Sequence, residues 1–230
     1  MKNTFKILER LKESYIKRRV LIVSFVIQNL ILSLIVLMYA NMIISNARLN
    51  GEIDYVQVRI FYNMVIFLLF VIVSIYSPFL LSNSLNTLCE NNIIEHLLAV
   101  RINIKEIVFA VFLRGVSTLL ILLISAFPIV SISFYFGGFS LAKIIRLLVI
   151  ILSYSVFISS VCIFISTIIY DKNVSIIIAY IVSFILAIIN LINLNIFLYS
   201  FTYTIIYAIA LSILSLVLIS SARNTTIFNT

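Results

Sequence analysis

From Asn173 to Ala222 the chain reads NVSIIIAYIVSFILAIINLINLNIFLYSFTYTIIYAIALSILSLVLISSA, fifty consecutive residues without a charge. A helix crossing about 30 Å of hydrocarbon needs about 20 apolar residues. Two crossings therefore use about 40 of these positions and leave roughly 10 for a hairpin. Asn190, Asn193 and Asn195 cluster where that hairpin is expected to turn. The whole chain has the same character, with 230 residues, 63% hydrophobic and only 10% charged. Soluble domains are nearer about half apolar and about a quarter charged. Such a composition excludes disorder, and two cysteines exclude a disulfide framework. A polytopic membrane protein is the class that fits.

Working outward, four more spans are legible. Leu21 to Ile44 carries no charge, and a second span is placed at about Ile60 to Leu81. The third runs from Glu106 to Phe136 with one charge, Arg114, and Gly137-Gly138 offers a turn after it. The fourth fills Leu147 to Tyr170. Barrel strands are excluded, because no alternation of period two is visible and the runs far exceed the ten or so residues a strand needs. The run from Leu21 is too long for the apolar region of a signal peptide and is read as an uncleaved span. Cys89 and Cys162 are read as packing residues.

Six spans put both termini on one side. On that side fall Lys2, Lys6, Arg10, Lys12, Lys17, Arg18, Arg19, Arg101, Lys105, Arg114, Lys172 and Arg223. Only Arg48, Arg59, Lys143 and Arg146 fall on the other. Basic residues favour the cytoplasmic side, so both termini are expected there, in a multi-pass protein of the plasma membrane. Lys143 and Arg146 run against the trend. The net charge of +8 is thus assigned to orientation in the lipid membrane, and no nucleic-acid partner is expected.

Two segments lie between spans. Residues 1–19 form a first unit, ahead of the six-span domain at 20–230. Phe5, Leu8, Leu11 and Tyr15 recur at helical spacing, with Lys6, Arg10, Lys12 and Lys17 on the other face. This predicts an amphipathic helix on the inner membrane surface; a basic tail that only fixes topology is the alternative. Residues 82–105, joining the second span to the third, form a longer connection than two spans require. Ile93, Ile94, Leu97 and Leu98 make an apolar stripe among Glu90, Glu95, Arg101 and Lys105. Such a helix either docks into a groove on another protein or packs under the bundle, and periodicity leaves both open.

The stretch from Glu90 to Val108 resembles the cytoplasmic loop of type-2 ABC exporter permeases. The matching positions are Glu90, Glu95, Leu97, Leu98, Lys105, Glu106, Ile107 and Val108. Asn92-Ile93 stands where that family usually has Gly-Thr, and Arg101 where it usually has Pro. The resemblance implies an all-α membrane protein of six transmembrane helices, with an N-terminal interfacial helix and a cytoplasmic coupling helix between spans two and three. It implies that the loop 84–105, through Glu90, Ile94, Glu95, Leu97, Leu98, Arg101, Lys105 and Glu106, sits in a groove of a separate ABC ATPase subunit. It also implies a second permease subunit, either another copy or a related chain. ATP and Mg are then expected on the ATPase subunits.

The chain's own residues lack chemistry. Its only glycines are Gly51, Gly115, Gly137 and Gly138, so no P-loop is present. No catalytic residue, cofactor site or metal site is expected, and the single histidine, His96, is read as a surface contact. Serines are plentiful, yet no His or Lys at mid-membrane depth would activate one. Gln28, Asn29, Asn63 and Asn190 are polar residues within spans, costly unless partnered. They are candidates for a translocation path or for bonds between helices. Pro128 is expected to bend the third span, and Arg114 to snorkel to the inner interface or to pair with Glu90 or Asp171. The functional expectation is the permease subunit of an exporter for an amphipathic or hydrophobic cargo, with peptides first. An ion-gradient transporter or a membrane scaffold is the alternative; few ionisable residues lie deep in the spans, which disfavours the first of these.

Overall fold

In the computed structural model, residues 18–51, 54–82, 104–135, 141–169, 171–199 and 201–224 are described. Residues 1–17 of the expected interfacial helix at 1–19, the Gly137-Gly138 turn, Cys89 and His96 lie outside the described residues. The described chain is all-α, without a strand, and is a multi-pass membrane protein. Six helices are long and apolar enough to cross a bilayer: α1 (Arg18–Asn50), α2 (Tyr55–Ser77), α3 (Ile104–Tyr135), α4 (Leu141–Ile168), α5 (Lys172–Tyr199) and α6 (Phe201–Asn224). Ile and Val are strand formers in water. Here the helix wins, because hydrocarbon offers no partner to a backbone N–H or C=O and a helix satisfies them all internally.

Local sequence sets the ends. Gly51, at φ +75°, closes α1 by donating its N–H to the Ala47 carbonyl at 2.9 Å. Asp54 caps α2, its carboxylate accepting from the Val56 N–H at 2.9 Å. Asp171 caps α5 in the same way, accepting from Asn173 N–H at 2.9 Å. Pro78 ends the α-helical bonding of α2, and a π-helical turn, Pro78–Ser82, carries the helix on. Three boundaries differ from the sequence reading. α1 starts at Arg18, taking the last two residues of the expected interfacial helix. α2 starts at Tyr55, five residues before the expected Ile60. The last hairpin does not turn at Asn190–Asn195: α5 continues to Tyr199 and α6 begins at Phe201. Asparagine is a weak helix breaker, and Asn190 finds side-chain partners without leaving the helix, as described below.

The core has two parts. One joins Leu32, Val36 and Ile43 of α1 to Phe61, Ile66 and Phe70 of α2 and to Ile150 and Tyr154 of α4. The other, nearer the end of α2, gathers Leu80, Leu81, Val108, Val111, Cys162, Ile163, Ala179 and Ile219. α2 and α4 are central, with 56% of each apolar window buried, whereas α1 is peripheral at 17%. The packing is closest where Gly115 of α3 meets Leu81. A Cβ there would lie 2.6 Å from Leu81 Cγ and closer still to Cδ2. Leu81 is fully buried, so it has no room to retreat.

Gly115→Ala is therefore expected to lower thermal stability in detergent micelles. Leu81→Ala alone should cost about 2–5 kcal/mol through the cavity it leaves. The double variant should be more stable than the two single losses predict, since the new methyl enters the vacated space. Strictly additive losses would show that the two residues do not touch.

Candidate functional site

Pro78 lacks an N–H, so the Ser74 carbonyl four residues earlier loses its helical donor. The Ser183 hydroxyl of α5 reaches it at 3.0 Å. That hydroxyl also lies 2.9 Å from the Tyr180 carbonyl in its own helix, so its single proton is shared. Tyr154 of α4 completes the layer: its hydroxyl donates to the Ser183 carbonyl at 3.1 Å and lies 2.8 Å from Ser74 Oγ. All three side chains are buried, and the Tyr154 ring packs on Phe70 with centroids 4.9 Å apart. One layer of hydroxyls and carbonyls thus ties α2, α4 and α5 together.

A second layer sits at the end of the π-helical turn. Ser166 Oγ donates to Ser82 Oγ at 2.8 Å, Ser82 Oγ is 3.1 Å from Ser175 Oγ, and Ser175 Oγ is 3.4 Å from Ser166 Oγ. Between the layers the Cys162 thiol points at Ser77 Oγ, 3.8 Å away. The result is a buried polar seam along α2, α4 and α5. The sequence reading passed over it. Its signal is the spacing of small residues: Ser175, Ala179, Ser183, Ala187 and Asn190 recur every three or four positions and are all buried. Small residues at this spacing let helices approach closely inside a membrane. The opposite face of α5, with Ile177, Ile181, Ile185 and Ile192, is exposed to lipid.

The four expected path residues fall into three environments. Asn190 is buried and satisfied: its amide N–H donates to the Leu186 carbonyl at 2.7 Å and its Oδ1 accepts from the Tyr207 hydroxyl of α6. Asn63 is exposed on α2. Gln28 is 4% exposed, and neither its Nε2 nor its Oε1 has a hydrogen-bond partner. Asn29 donates weakly to Ser125 of α3 at 3.4 Å, and its buried Oδ1 accepts nothing. Asn190 is therefore a bond within the α5–α6 hairpin, and among the described residues the buried amide atoms without a partner are those of Gln28 and the Oδ1 of Asn29.

Of the expected ATPase contacts, Glu90, Ile94, Glu95, Leu97, Leu98 and Arg101 lie outside the described residues. Lys105 and Glu106 fall in the first turn of α3, where Glu106 is half-buried and its charge suits the helix N-terminus. Arg114 is half-buried in α3. Among the described residues no three His, Cys, Asp or Glu side chains gather as metal ligands. The seam hydroxyls bond to hydroxyls, carbonyls and a thiol, none of which acts as a general base. Among the described residues these bonds tie α2, α4 and α5 together. The chain matches no protein-family model, no curated protein and no solved structure.

Two outcomes follow from these bonds. Ser183→Ala should destabilise the protein by about 1 kcal/mol, the scale of a buried carbonyl left without a donor. Adding Pro78→Ala should recover most of that loss, because the restored N–H can reach Ser74; no recovery would mean that the proline does not free this carbonyl. Gln28→Leu should leave the unfolding temperature unchanged or raise it, whereas Asn190→Leu should lower it. Equal losses would place Gln28 among the satisfied structural amides.

Proposed function

We propose that this chain is the membrane-spanning permease subunit of an ATP-driven exporter, working with separate ABC ATPase subunits and a second permease subunit. The observation that carries this reading is the Glu90–Val108 pattern, set between the second and third of six spanning helices. The chain has no glycine-rich loop for phosphates, so ATP hydrolysis falls to a partner. The distribution of Lys and Arg favours cytoplasmic termini and a cytoplasmic position for the 84–105 segment. Ile93, Ile94, Leu97 and Leu98 are then the ridge that enters the ATPase groove, flanked by Glu90, Glu95, Arg101, Lys105 and Glu106.

The unpartnered amide of Gln28 and the unused Oδ1 of Asn29, on a helix that is mostly exposed, favour the inner face of α1 as the side of the bundle that meets cargo. An uncharged, hydrogen-bonding wall suits an amphipathic or hydrophobic cargo, with peptides first. Asn190 and Asn63 have no part in that wall.

The test is co-purification with a co-expressed candidate ABC ATPase subunit. Glu95→Lys and Leu98→Asp should each reduce its retention at least tenfold while leaving the permease folded. Undiminished retention would remove the coupling assignment. Uptake of labelled peptide into inside-out vesicles should need both ATP and the ATPase subunit; uptake driven by an ion gradient alone would point to a secondary transporter instead.

A further inference from the structure

Gln28 of α1 is buried with neither end of its amide bonded, a costly state where hydrocarbon offers no substitute. A donor lies one helical turn away. Four residues before Gln28, the Ser24 carbonyl accepts from the Tyr76 hydroxyl of α2 at 3.0 Å. The other polar contacts of α1 show the same spacing. Asn29 donates to Ser125 of α3, and Ser33 follows Asn29 by four residues. Asn46 donates to Gln57 of α2, and Asn50 follows Asn46 by four residues. Every Ser, Asn and Gln of α1 belongs to such a pair: Ser24 and Gln28, Asn29 and Ser33, Asn41 and Ser45, Asn46 and Asn50. The apolar stripe has the same period, with Leu32, Val36 and Ala40 buried four apart.

Moving α1 toward its own N-terminus by four residues is a travel of about 6 Å with a rotation of about 40°. Each contact then passes to the second member of its pair. Gln28 reaches Tyr76, Ser33 reaches Ser125 and Asn50 reaches Gln57. The Ser33 hydroxyl, bonded to the Leu30 carbonyl at 2.9 Å, turns to donate to Ser125. Leu32 enters the place that Gln28 leaves, and Val36 and Ala40 follow it. Against these gains stands one loss: the Tyr39 ring leaves Phe61, on which it stacks at 5.6 Å. The outer face of α1 meets lipid, which exchanges one apolar side chain for another at little cost.

The connection to α2 permits this travel. Asn46 and Gln57 stand level. From that level α1 runs on about 6 Å to its end at Asn50, and α2 begins about 3 Å beyond it at Tyr55. The end of α1 thus stands about 3 Å past the start of α2 before the slide and about 3 Å short of it afterwards, an equal reach for residues 51–54. Two turns would leave it about 9 Å short.

We propose that α1 occupies two registers one turn apart: the observed one, with Gln28 unbonded and Tyr39 stacked, and a second in which Gln28 bonds Tyr76. One-turn displacement of an element past its neighbours is an established kind of switch. The slide does not rest on the exporter reading.

The test uses cysteine pairs in a chain whose Cys89 and Cys162 are replaced by Ala, reconstituted in nanodiscs and oxidised with copper phenanthroline. Mass spectrometry counts the thiols that remain. Asn29→Cys/Ser125→Cys reports the observed register and Ser33→Cys/Ser125→Cys the second. Leu37→Cys/Ser125→Cys, one turn further on, belongs to neither. A disulfide needs Cα atoms within about 7 Å, so the first two pairs should close and the third should stay open. At the other end, Asn46→Cys/Gln57→Cys and Asn50→Cys/Gln57→Cys should both close. Gln28→Leu removes both the unbonded amide of one register and the Tyr76 bond of the other. It should slow closure of the Ser33/Ser125 and Asn50/Gln57 pairs at least about fivefold, with no slowing of the Asn29 and Asn46 pairs. Unfolding temperatures of the reduced variants in detergent identify any that fail to fold, and the pair at the other end is then read. Second-register pairs that close no faster than the Leu37 control overturn the proposal. So do closure at one end alone among folded variants and indifference to Gln28→Leu.

Discussion

The hydrogen bond from Ser183 to the Ser74 carbonyl is the interaction around which the rest of the bundle is arranged. In water a carbonyl freed by a proline finds a solvent molecule. In hydrocarbon it does not, and leaving it bare lowers the stability of the bundle. Pro78 therefore obliges α2 to have a hydroxyl-bearing neighbour at one depth. Ser183 meets that need only if α5 lies close, and α5 lies close because Ser175, Ala179, Ser183 and Ala187 present no bulk on that face. Tyr154 then has both a hydroxyl and a carbonyl to bond, which fixes the rotation of α4. Position along the membrane and rotation about three helix axes follow from one missing N–H.

Hydrophobicity does not do this. In lipid an isoleucine gains little by turning inward, since its surroundings are equally apolar on either side. That is why Ile177, Ile181 and Ile185 sit outside while serines sit inside, the reverse of a soluble helix. Shape complementarity contributes the remainder, most tightly where Gly115 admits Leu81. The two layers of hydroxyls lie on either side of the Pro78–Ser82 π-helical turn, so the irregular backbone falls where side-chain partners are densest.

The fold class was fully legible in the sequence, because length and apolarity of a run are what lipid reads. Five of the six spans were visible as uncharged stretches and the third as a run interrupted by Arg114, including the division of the fifty residues from Asn173. The turn within that stretch was misplaced by several residues, since an asparagine signals a turn only where water competes for its amide; Tyr207 and the Leu186 carbonyl hold Asn190 in the helix instead. The polar seam was written in the sequence as a four-residue spacing of small side chains. It was hidden because serine is common here and composition weighs each one alike. Gln28 and Asn190 look equivalent as letters, and only the packing of neighbouring helices separates the unpartnered amide from the satisfied one.

The bonds are unevenly distributed, and this has a mechanical consequence. α2, α4 and α5 share two layers of hydrogen bonds between buried side chains and carbonyls. α1 bonds to its neighbours through Tyr76 to the Ser24 carbonyl at 3.0 Å, through Asn46 to Gln57 Oε1 at 3.0 Å and through the longer contact of Asn29 with Ser125, and Tyr39 stacks on Phe61. Separating α4 from α2 breaks several bonds that lipid cannot replace. Moving α1 against α3 breaks one bond already near its limit, and leaves Gln28 no worse partnered than before. Polar bonding is thus densest among α2, α4 and α5, and the unpartnered Gln28 amide lies on the inner face of α1.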